Sequence, residues 1–262
     1  MTGRSTTKSN ISWVESLNAI RITVVIPVFN EDALSLSQTL KSAIDADEIV
    51  VVDGGSEIQK ITATCKVCLD SGAKFASAPK GRASQMNAGA KLAKADWLVF
   101  LHADVQLPAG WRQQLMTHVG QKVLDQGPQW GRFDVRFRSI YTRPNAKYCA
   151  WRLGMHVVGS FMNARSRLTG ISTGDQTQFI RHQSFVAMNG FPEQLLMEDI
   201  EFSKRALTQL GKPINLATCV SVSARRWRHY GYFRTIALMW KLRWQYWRGA
   251  TPAELHQAYY GE

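Results

Sequence analysis

The chain has 262 residues, of which 45% are hydrophobic, and a formal net charge of +12. That length and apolar content fit one sizeable domain with an appendage, and the charge points to an anionic partner: a nucleotide, a nucleic acid or an acidic membrane surface. Four cysteines are too few for a disulfide scaffold, and no apolar run approaches the roughly 18–20 residues that span a bilayer.

Residues 1–20 are rich in Ser, Thr, Asn and Lys without an apolar core, so no secretory signal is expected and 1–18 reads as a mobile arm. Ile22 to Val28 is a β-branched apolar run, hence a buried strand, in which Pro27 ends regular pairing because it has no N–H. Phe29-Asn30-Glu31-Asp32 follows as a loop and helix start, and Leu34, Leu36, Leu40 and Ile44 suggest an amphipathic helix. Glu48 to Asp53 is a second buried strand ending in Gly54-Gly55-Ser56, where glycines allow close approach of backbone to a ligand. Residues 57–71 read as a helix. It carries Cys65 and Cys68, which lack a second pair at metal spacing and read as helix residues in a reducing compartment, with a redox or zinc role as the alternative.

Ala73 to Ser77 is a short third strand, and Lys80-Gly81-Arg82 opens a helix through Met86, Ala90 and Ala93. Asp96 to Leu101 is the most apolar strand and ends abruptly in His102-Ala103-Asp104. Alternate strand residues point the same way, so His102 and Asp104 would face one ligand if the strand persists; otherwise Asp104 caps the helix near Pro108. This β-α-β-α-β-α-β series predicts a parallel sheet with crossover helices, and such sheets bind ligands at the carboxyl ends of their strands. Glu31, Asp53, Asp104 and Arg82 all fall at that edge, and their convergence favours a nucleotide pocket over a set of unrelated helix caps.

Beyond it, Pro108–Leu124 looks helical, and Trp130–Phe137 alternates as a half-exposed strand does. Residues 145–165 form a helix, Gly174 to Ile180 is a loop entering a strand, and Asn189-Gly190-Phe191-Pro192 is a turn. A helix begins near Leu196 and runs through Leu207, and Ile214–Val222 is a late strand. Residues 225–248 carry seven basic residues, no acid and eight aromatics, with Phe233, Trp240, Trp244 and Trp247 at helical spacing. Such a helix lies in an anionic membrane interface, or its aromatic stripe packs on the domain; a nucleic-acid role is disfavoured because no reading motif accompanies the charge.

The order of motifs resembles the family 2 inverting glycosyltransferases of the GT-A fold. The resemblance covers residue 22 to about 228 and rests on Val25-Ile26-Pro27-Val28-Phe29-Asn30-Glu31, Val51-Val52-Asp53-Gly54-Gly55-Ser56, Gly81-Arg82 with Gln85-Met86-Asn87-Ala88-Gly89, Phe100-Leu101-His102-Ala103-Asp104, Gly190-Phe191 and Met197-Glu198-Asp199-Ile200-Glu201. Gly81-Arg82 with Gln85-Met86-Asn87, His102-Ala103-Asp104, Gly174-Asp175-Gln176 and Ser223-Ala224-Arg225-Arg226-Trp227 are further similar to a narrower group, the glycosyltransferases linked with arsenosugar biosynthesis. The resemblance implies a Rossmann-like, mainly parallel mixed sheet with helices on both faces over 19–228, and an amphipathic helical tail over 229–262.

It also implies a nucleotide-diphosphate sugar donor, a divalent metal (Mn2+ or Mg2+) on the diphosphate, and inversion at the anomeric carbon. Pro27, Phe29 and Glu31 would line the nucleobase side, Asp53 would meet base or ribose, and Arg82 and Asn87 would lie along the nucleotide. Asp104 matches the last acid of the family's Asp-x-Asp and would reach the metal. His102 departs from that pattern: a neutral imidazole hydrogen-bonds ribose or ligates a metal, but lacks the charge of an acid. Asp199 matches the general base, with Glu198 shaping the acceptor side, although acids in a helix's first turn also suit its dipole. Arg225 and Arg226 would neutralise the diphosphate, and His229 is either a C-terminal metal ligand or a surface histidine. The acceptor, a small molecule or a lipid, stays open. The expected location is cytoplasmic, with the tail on the cytoplasmic membrane face if it binds lipid. The alternatives are a membrane-surface enzyme acting on a polyprenyl-phosphate or other lipid acceptor, and a non-catalytic sugar-nucleotide-binding protein.

Overall fold

β1 (Ile22–Val28) is buried along its whole length because both faces of its apolar run are covered. The structure, a computed structural model, describes residues 20–120, 127–138, 146–225, 227 and 231–260; the expected arm at 1–18 lies outside them. After β1 come α1 (Ala33–Ser42), β2 (Glu48–Asp53), α2 (Ile58–Ser71), β3 (Lys74–Ser77), α3 (Arg82–Leu92) and β4 (Trp97–Phe100), the alternation expected from the sequence. These four strands pair in parallel in the order β3-β2-β1-β4. Val24, Ile26 and Val99 face a core layer with Leu36 and Leu40 of α1. Val25, Leu98 and Phe100 face the opposite layer, with Ala83, Met86 and Ala90 of α3. The period-two rule thus divides one sheet into two cores.

The remaining elements are β5 (Val105–Gln106), α4 (Trp111–Gly120), β6 (Trp130–Phe137), α5 (Ala146–Thr169), a 3-10 turn at Gly174–Gln176, β7 (Gln178–Arg181), α6 (His182–Ala187), α7 (Glu198–Leu210), β8 (Ile214–Val222), α8 (Tyr232–Trp247) and α9 (Pro252–Tyr260). They extend the sheet to β3-β2-β1-β4-β7-β6-β8-β5, with β7 antiparallel to both neighbours, so the sheet is mixed and mainly parallel as expected.

Three expectations change. Leu34 and Ile44 are exposed; only Leu36 and Leu40 of that set reach the core, and Asp32 caps α1 by accepting from Ser35 N–H at 3.0 Å. β4 ends at Phe100, where Leu101 N–H donates the last ladder bond to Val25 O (2.9 Å); Val105 N–H then turns back to His102 O, so Asp104 lies in a turn and not on a strand. Pro27 falls beyond that point, where its missing N–H costs no β1–β4 bond. Finally, β6 is not half-exposed. Its charged residues Arg132 and Asp134 are buried as an ion pair, with Arg167 of α5 as a second partner of Asp134. Asn163 of α5 accepts from Val135 N–H (2.9 Å) and donates to Val135 O (3.1 Å), which fastens that helix to the strand.

Close packing sets α3 against the sheet. A Cβ at Gly89 would lie 2.3 Å from Val25 Cγ1, and Gln85 donates to both Val28 O (2.6 Å) and Val52 O (2.8 Å), bridging β1 and β2. Cys65 and Cys68 lie on α2 as free thiols, and burial beside Cys65 pushes the Cys68 thiol up to about 11. No helix among the described residues is long and apolar enough to cross a membrane.

The C-terminal helices pack by their aliphatic face. Leu242 of α8 and Leu255 of α9 are buried against Leu196, Met197 and Ile200, and Tyr246 Oη donates to Glu201 at 2.9 Å. Trp240, Trp244 and Trp247, three of the four aromatics read at helical spacing, point outward instead, with relative exposures of 62%, 57% and 79%.

The buried Arg132–Asp134 pair generates a stability prediction. Asp134→Ala leaves a guanidinium buried without its carboxylate and is expected to cost about 3–5 kcal/mol. Urea unfolding should show the loss in the midpoint; a cost under 1 kcal/mol would mean that Arg132 finds another partner.

Candidate active site

Pairing between β1 and β4 stops at Val25 and Phe100; beyond it β4 turns into a loop while β1 runs on to Val28 against β2 alone. The open edge gathers groups from distant parts of the sequence. Glu31 enters from the loop after β1, and Arg225, just past β8, donates to its Oε1 at 2.7 Å while lying 3.9 Å from Asp104 Oδ2. The peptide oxygen of Asp104 accepts from Arg138 Nη2 (2.8 Å) and from Ser223 N–H (3.2 Å), so β6 and β8 both hold the turn that carries this acid. Phe29 is exposed on the same loop as Glu31, with the Lys80 ammonium 4.4 Å from its ring centre.

His102 is mostly buried, with Nδ1 3.4 Å from Asp175 Oδ1. The ring lies so close to the 3-10 turn that a Cβ at Gly174 would come within 2.4 Å of it, so any larger residue there would displace the imidazole. The N–H of Gly174 donates to Asp199 Oδ2 (2.7 Å), and Ile200 N–H donates to Asp199 Oδ1 (2.7 Å). One turn thus links the His102 imidazole after β4 to the carboxylate at the start of α7. The residue before that helix, Met197, is left-handed at φ +65°, an uncommon conformation for a residue with a side chain. Next to Asp199, Glu198 is buried with Oε1 3.7 Å from Arg82 Nη1.

Two acids of this cluster are pushed toward their protonated forms. Burial raises the pKa of Asp104, helped by the charges of Asp175 and Glu31 and opposed by His102 and Arg225. Burial and the Asp199 charge raise that of Glu198, opposed by Arg82 and His102. Among the described residues no group of three His, Cys, Asp or Glu side chains is placed to hold a metal by itself. The donor set nonetheless suits a hard cation. Magnesium-type ions take one or two carboxylates and complete their shell with water and substrate phosphate oxygens, and a cation beside Asp104 would relieve the like-charge crowding that raises its pKa.

Of the residues expected at the site, Glu31, Arg82, His102, Asp104, Glu198, Asp199 and Arg225 form this one charged cluster, and Phe29 flanks it on the Glu31 loop. Pro27 lies in β1 beneath it, one residue before the strand's end and still in register with Val52 of β2, so it does not end the pairing on that side as the sequence suggested. Asp53 is buried and accepts from Gly55 N–H (2.8 Å), Ser56 N–H (2.9 Å) and Ser56 Oγ, so its carboxylate organises its own turn. Asn87 accepts from Phe191 N–H and donates to Phe191 O, both at 2.9 Å, tying α3 to the turn at Gly190. Arg226 and His229 lie outside the described residues. Sequence reasoning did not include Asp175 or Arg138 among the site residues. Asp175 had a signal in the Gly174-Asp175-Gln176 motif; Arg138 had none.

A mixed, mainly parallel sheet with helices around it and a charged edge at the carboxyl end of its strands is the architecture of the GT-A class. Residues 23–187 match the family described as Glycosyl transferase family 2, and the chain belongs to it. Among solved structures, S. aureus TarS 1–349 in complex with UDP is 16% identical with a TM-score of 0.57, over 80% of this chain and 62% of that one. The chain therefore spans about six tenths of that TarS piece. Glucosyl-3-phosphoglycerate synthase from Mycobacterium tuberculosis, in complex with Mn2+, UDP and glucosyl-3-phosphoglycerate, is 18% identical with a TM-score of 0.53, over 88% of this chain and 81% of that one. At these identities the likeness shows the shared fold. Among curated proteins, none matches the sequence.

The raised acids generate a titration test. Both groups should hold their protons to higher pH than free carboxyls, and ionising them should destabilise the fold as pH climbs through the raised values. In carboxyl-carbon NMR, Arg82→Gln should move Glu198 further up, and Arg225→Gln should do the same to Asp104. A shift downward in either variant contradicts the geometry.

Proposed function

We propose that the protein is an inverting glycosyltransferase that moves a sugar from a nucleoside-diphosphate sugar to an acceptor hydroxyl, with Asp199 as general base. The observation that carries this reading is the placement of Asp199: two backbone N–H groups fix its carboxylate at a helix start, one turn away from the His102–Asp104 edge. Those bonds leave other lone pairs free to accept a hydroxyl proton. As the hydroxyl oxygen bonds to the anomeric carbon, its proton passes to Asp199, and the carbon–oxygen bond to the diphosphate breaks with the electron pair leaving on the diphosphate. Attack from the face opposite the leaving group inverts the centre. Arg225 and Arg138 stand where a departing diphosphate would be neutralised, and the Glu198–Arg82 pair orients the guanidinium on the nucleotide side.

Asp104 would hold Mn2+ or Mg2+, with His102 and His229 as candidate helpers. When bound, the cation supplies charge neutralisation at the diphosphate. Phe29 with Lys80 suits a nucleobase face, and Pro27, Glu31, Asp53, Asn87 and Arg226 complete the donor-side proposal from the family resemblance. The presence of UDP, with or without Mn2+, in the TarS and glucosyl-3-phosphoglycerate synthase structures supports a nucleotide-sugar donor. The narrower likeness to the glycosyltransferases linked with arsenosugar biosynthesis rests on Gly81-Arg82 with Gln85-Met86-Asn87, His102-Ala103-Asp104, the Gly174-Asp175-Gln176 turn and Ser223-Ala224-Arg225-Arg226-Trp227. It leaves the acceptor open.

Asp199→Asn keeps the shape and removes the basicity, so turnover should fall about 10²–10⁴-fold with little change in UDP affinity. Asp104→Asn should do the converse, weakening Mn2+-dependent UDP binding. The two are read by donor turnover and by calorimetry on the same proteins. Turnover of Asp199→Asn within a few fold of wild type defeats the assignment, and a wild type that binds donor without ever turning it over is a binding protein only.

A second reading, a peripheral enzyme working at a membrane face on a lipid acceptor, draws on the outward aromatics Trp240, Trp244 and Trp247 beside Lys241 and Arg248. Vesicles with anionic lipid should co-sediment the full chain at low salt and release it at high salt, because exposed charges are screened. No co-sedimentation at low salt rejects the membrane reading.

A further inference from the structure

Behind the 3-10 turn lies a second cavity that the donor chemistry does not use. It has a volume of about 320 Å³ and opens between α5 and α8. Its walls are apolar, with Phe137, Met162, Trp227 and Met239 among them, and its mouth is framed by the exposed rings of Phe161 and Trp240, stacked at 6.0 Å. Three charged side chains line it: Arg165, Arg243 and Asp175. Asp175 is the residue that faces His102, so the cavity reaches the catalytic edge at that turn, and the next residue back, Gly174, donates to Asp199.

Arg165 sets the chemistry. Its Nε and Nη2 are buried and have no hydrogen-bond partner among the described residues. Those two atoms form one edge of the guanidinium, whose parallel N–H bonds match two oxygens of a phosphate or carboxylate. A buried, unsatisfied donor pair is costly, which makes it the natural mark of an absent ligand. The charge of Asp199 acts on Arg165 without satisfying that edge, so the open donor pair, inside apolar walls, selects an anion attached to an apolar body; a bare anion would leave the rings wet, and a neutral hydrocarbon would leave Arg165 unsatisfied.

We propose that this cavity is the acceptor site and that it takes an amphiphile, an apolar chain bearing a phosphate-type anion, with the anion on Arg165 and the sugar-accepting hydroxyl at the Asp175 end, toward Asp199. The proposal rests on the glycosyltransferase reading above and names its acceptor class. A cavity of this size accommodates a small ligand outright, and the exposed Val157, Phe161 and Trp240 continue the apolar surface for a longer chain.

Octyl phosphate is the probe, with octanol and inorganic phosphate as the two halves of its chemistry. Binding is followed by calorimetry and by tryptophan fluorescence, since Trp227 and Trp240 line the cavity. Octyl phosphate should bind at least tenfold tighter than either half. Arg165→Gln should weaken it about tenfold or more, and the exposed Trp240→Ala, which leaves the core untouched, should weaken it severalfold. Mn2+–UDP affinity, measured on each protein, should stay within twofold of wild type in both variants. Equal affinity for octyl phosphate and octanol, or an Arg165→Gln variant that binds donor and octyl phosphate as wild type does, overturns the proposal. If Arg165→Gln fails to fold, unchanged octyl phosphate affinity in Trp240→Ala overturns it. A wild type that binds octyl phosphate but no Mn2+–UDP instead removes the glycosyltransferase reading, so the two failures are told apart.

Discussion

Everything at the working edge of this molecule follows from where one ladder stops. β1 and β4 share hydrogen bonds only as far as Val25 and Phe100, and a proline stands at the next position that would have needed one. A sheet that stayed paired would have closed the edge with backbone. Instead the two strands part, and the space between them is filled by side chains whose charges must balance locally. Arg225 spans the gap from Glu31 toward Asp104, and Arg138 holds the peptide of Asp104 from the other side.

Electrostatically the edge is a small acidic island in a chain of net charge +12. Isolated, each of its acids would be solvated and ordinary. Brought together, Asp104 and Glu198 are displaced toward protonation, and the basic residues that surround them hold the cluster below its repulsive limit. This arrangement is preorganised for a ligand that carries both signs of charge, as a metal–diphosphate does, because such a ligand exchanges existing ion pairs for new ones and does not need fresh burial of charge.

Residues 22–100 were legible because the physics there is local. Runs of β-branched residues ending in Gly, Pro or acids can only be covered strands, and the helices between them force parallel pairing. The same locality explains the failures. In β6 the alternation of Arg132 and Asp134 has the pattern of a solvated face, and only the arrival of Asn163 and Arg167 from α5 turns it into a buried pair. α6 is six residues long, too short to show a helical period. Asn87 also has a partner that no spacing rule anticipates: its amide finds the backbone of Phe191, 104 residues away. His102 and Asp104 do meet one cluster, by way of a turn and the Asp175 carboxylate, although the strand argument used for them does not hold past Phe100.

The left-handed residue before α7 has a consequence for the far end of the chain. A side chain at φ +65° stands uphill of the ordinary backbone minima by about 1–2 kcal/mol, so Met197 keeps that geometry only while its surroundings enforce it. Those surroundings are the buried Leu242 and Leu255, together with the Tyr246 hydroxyl on Glu201 one turn into the helix. The last two helices therefore act as a buttress for a strained turn, and the direction in which Glu198 and Asp199 leave that turn is set by packing with residues more than forty positions downstream.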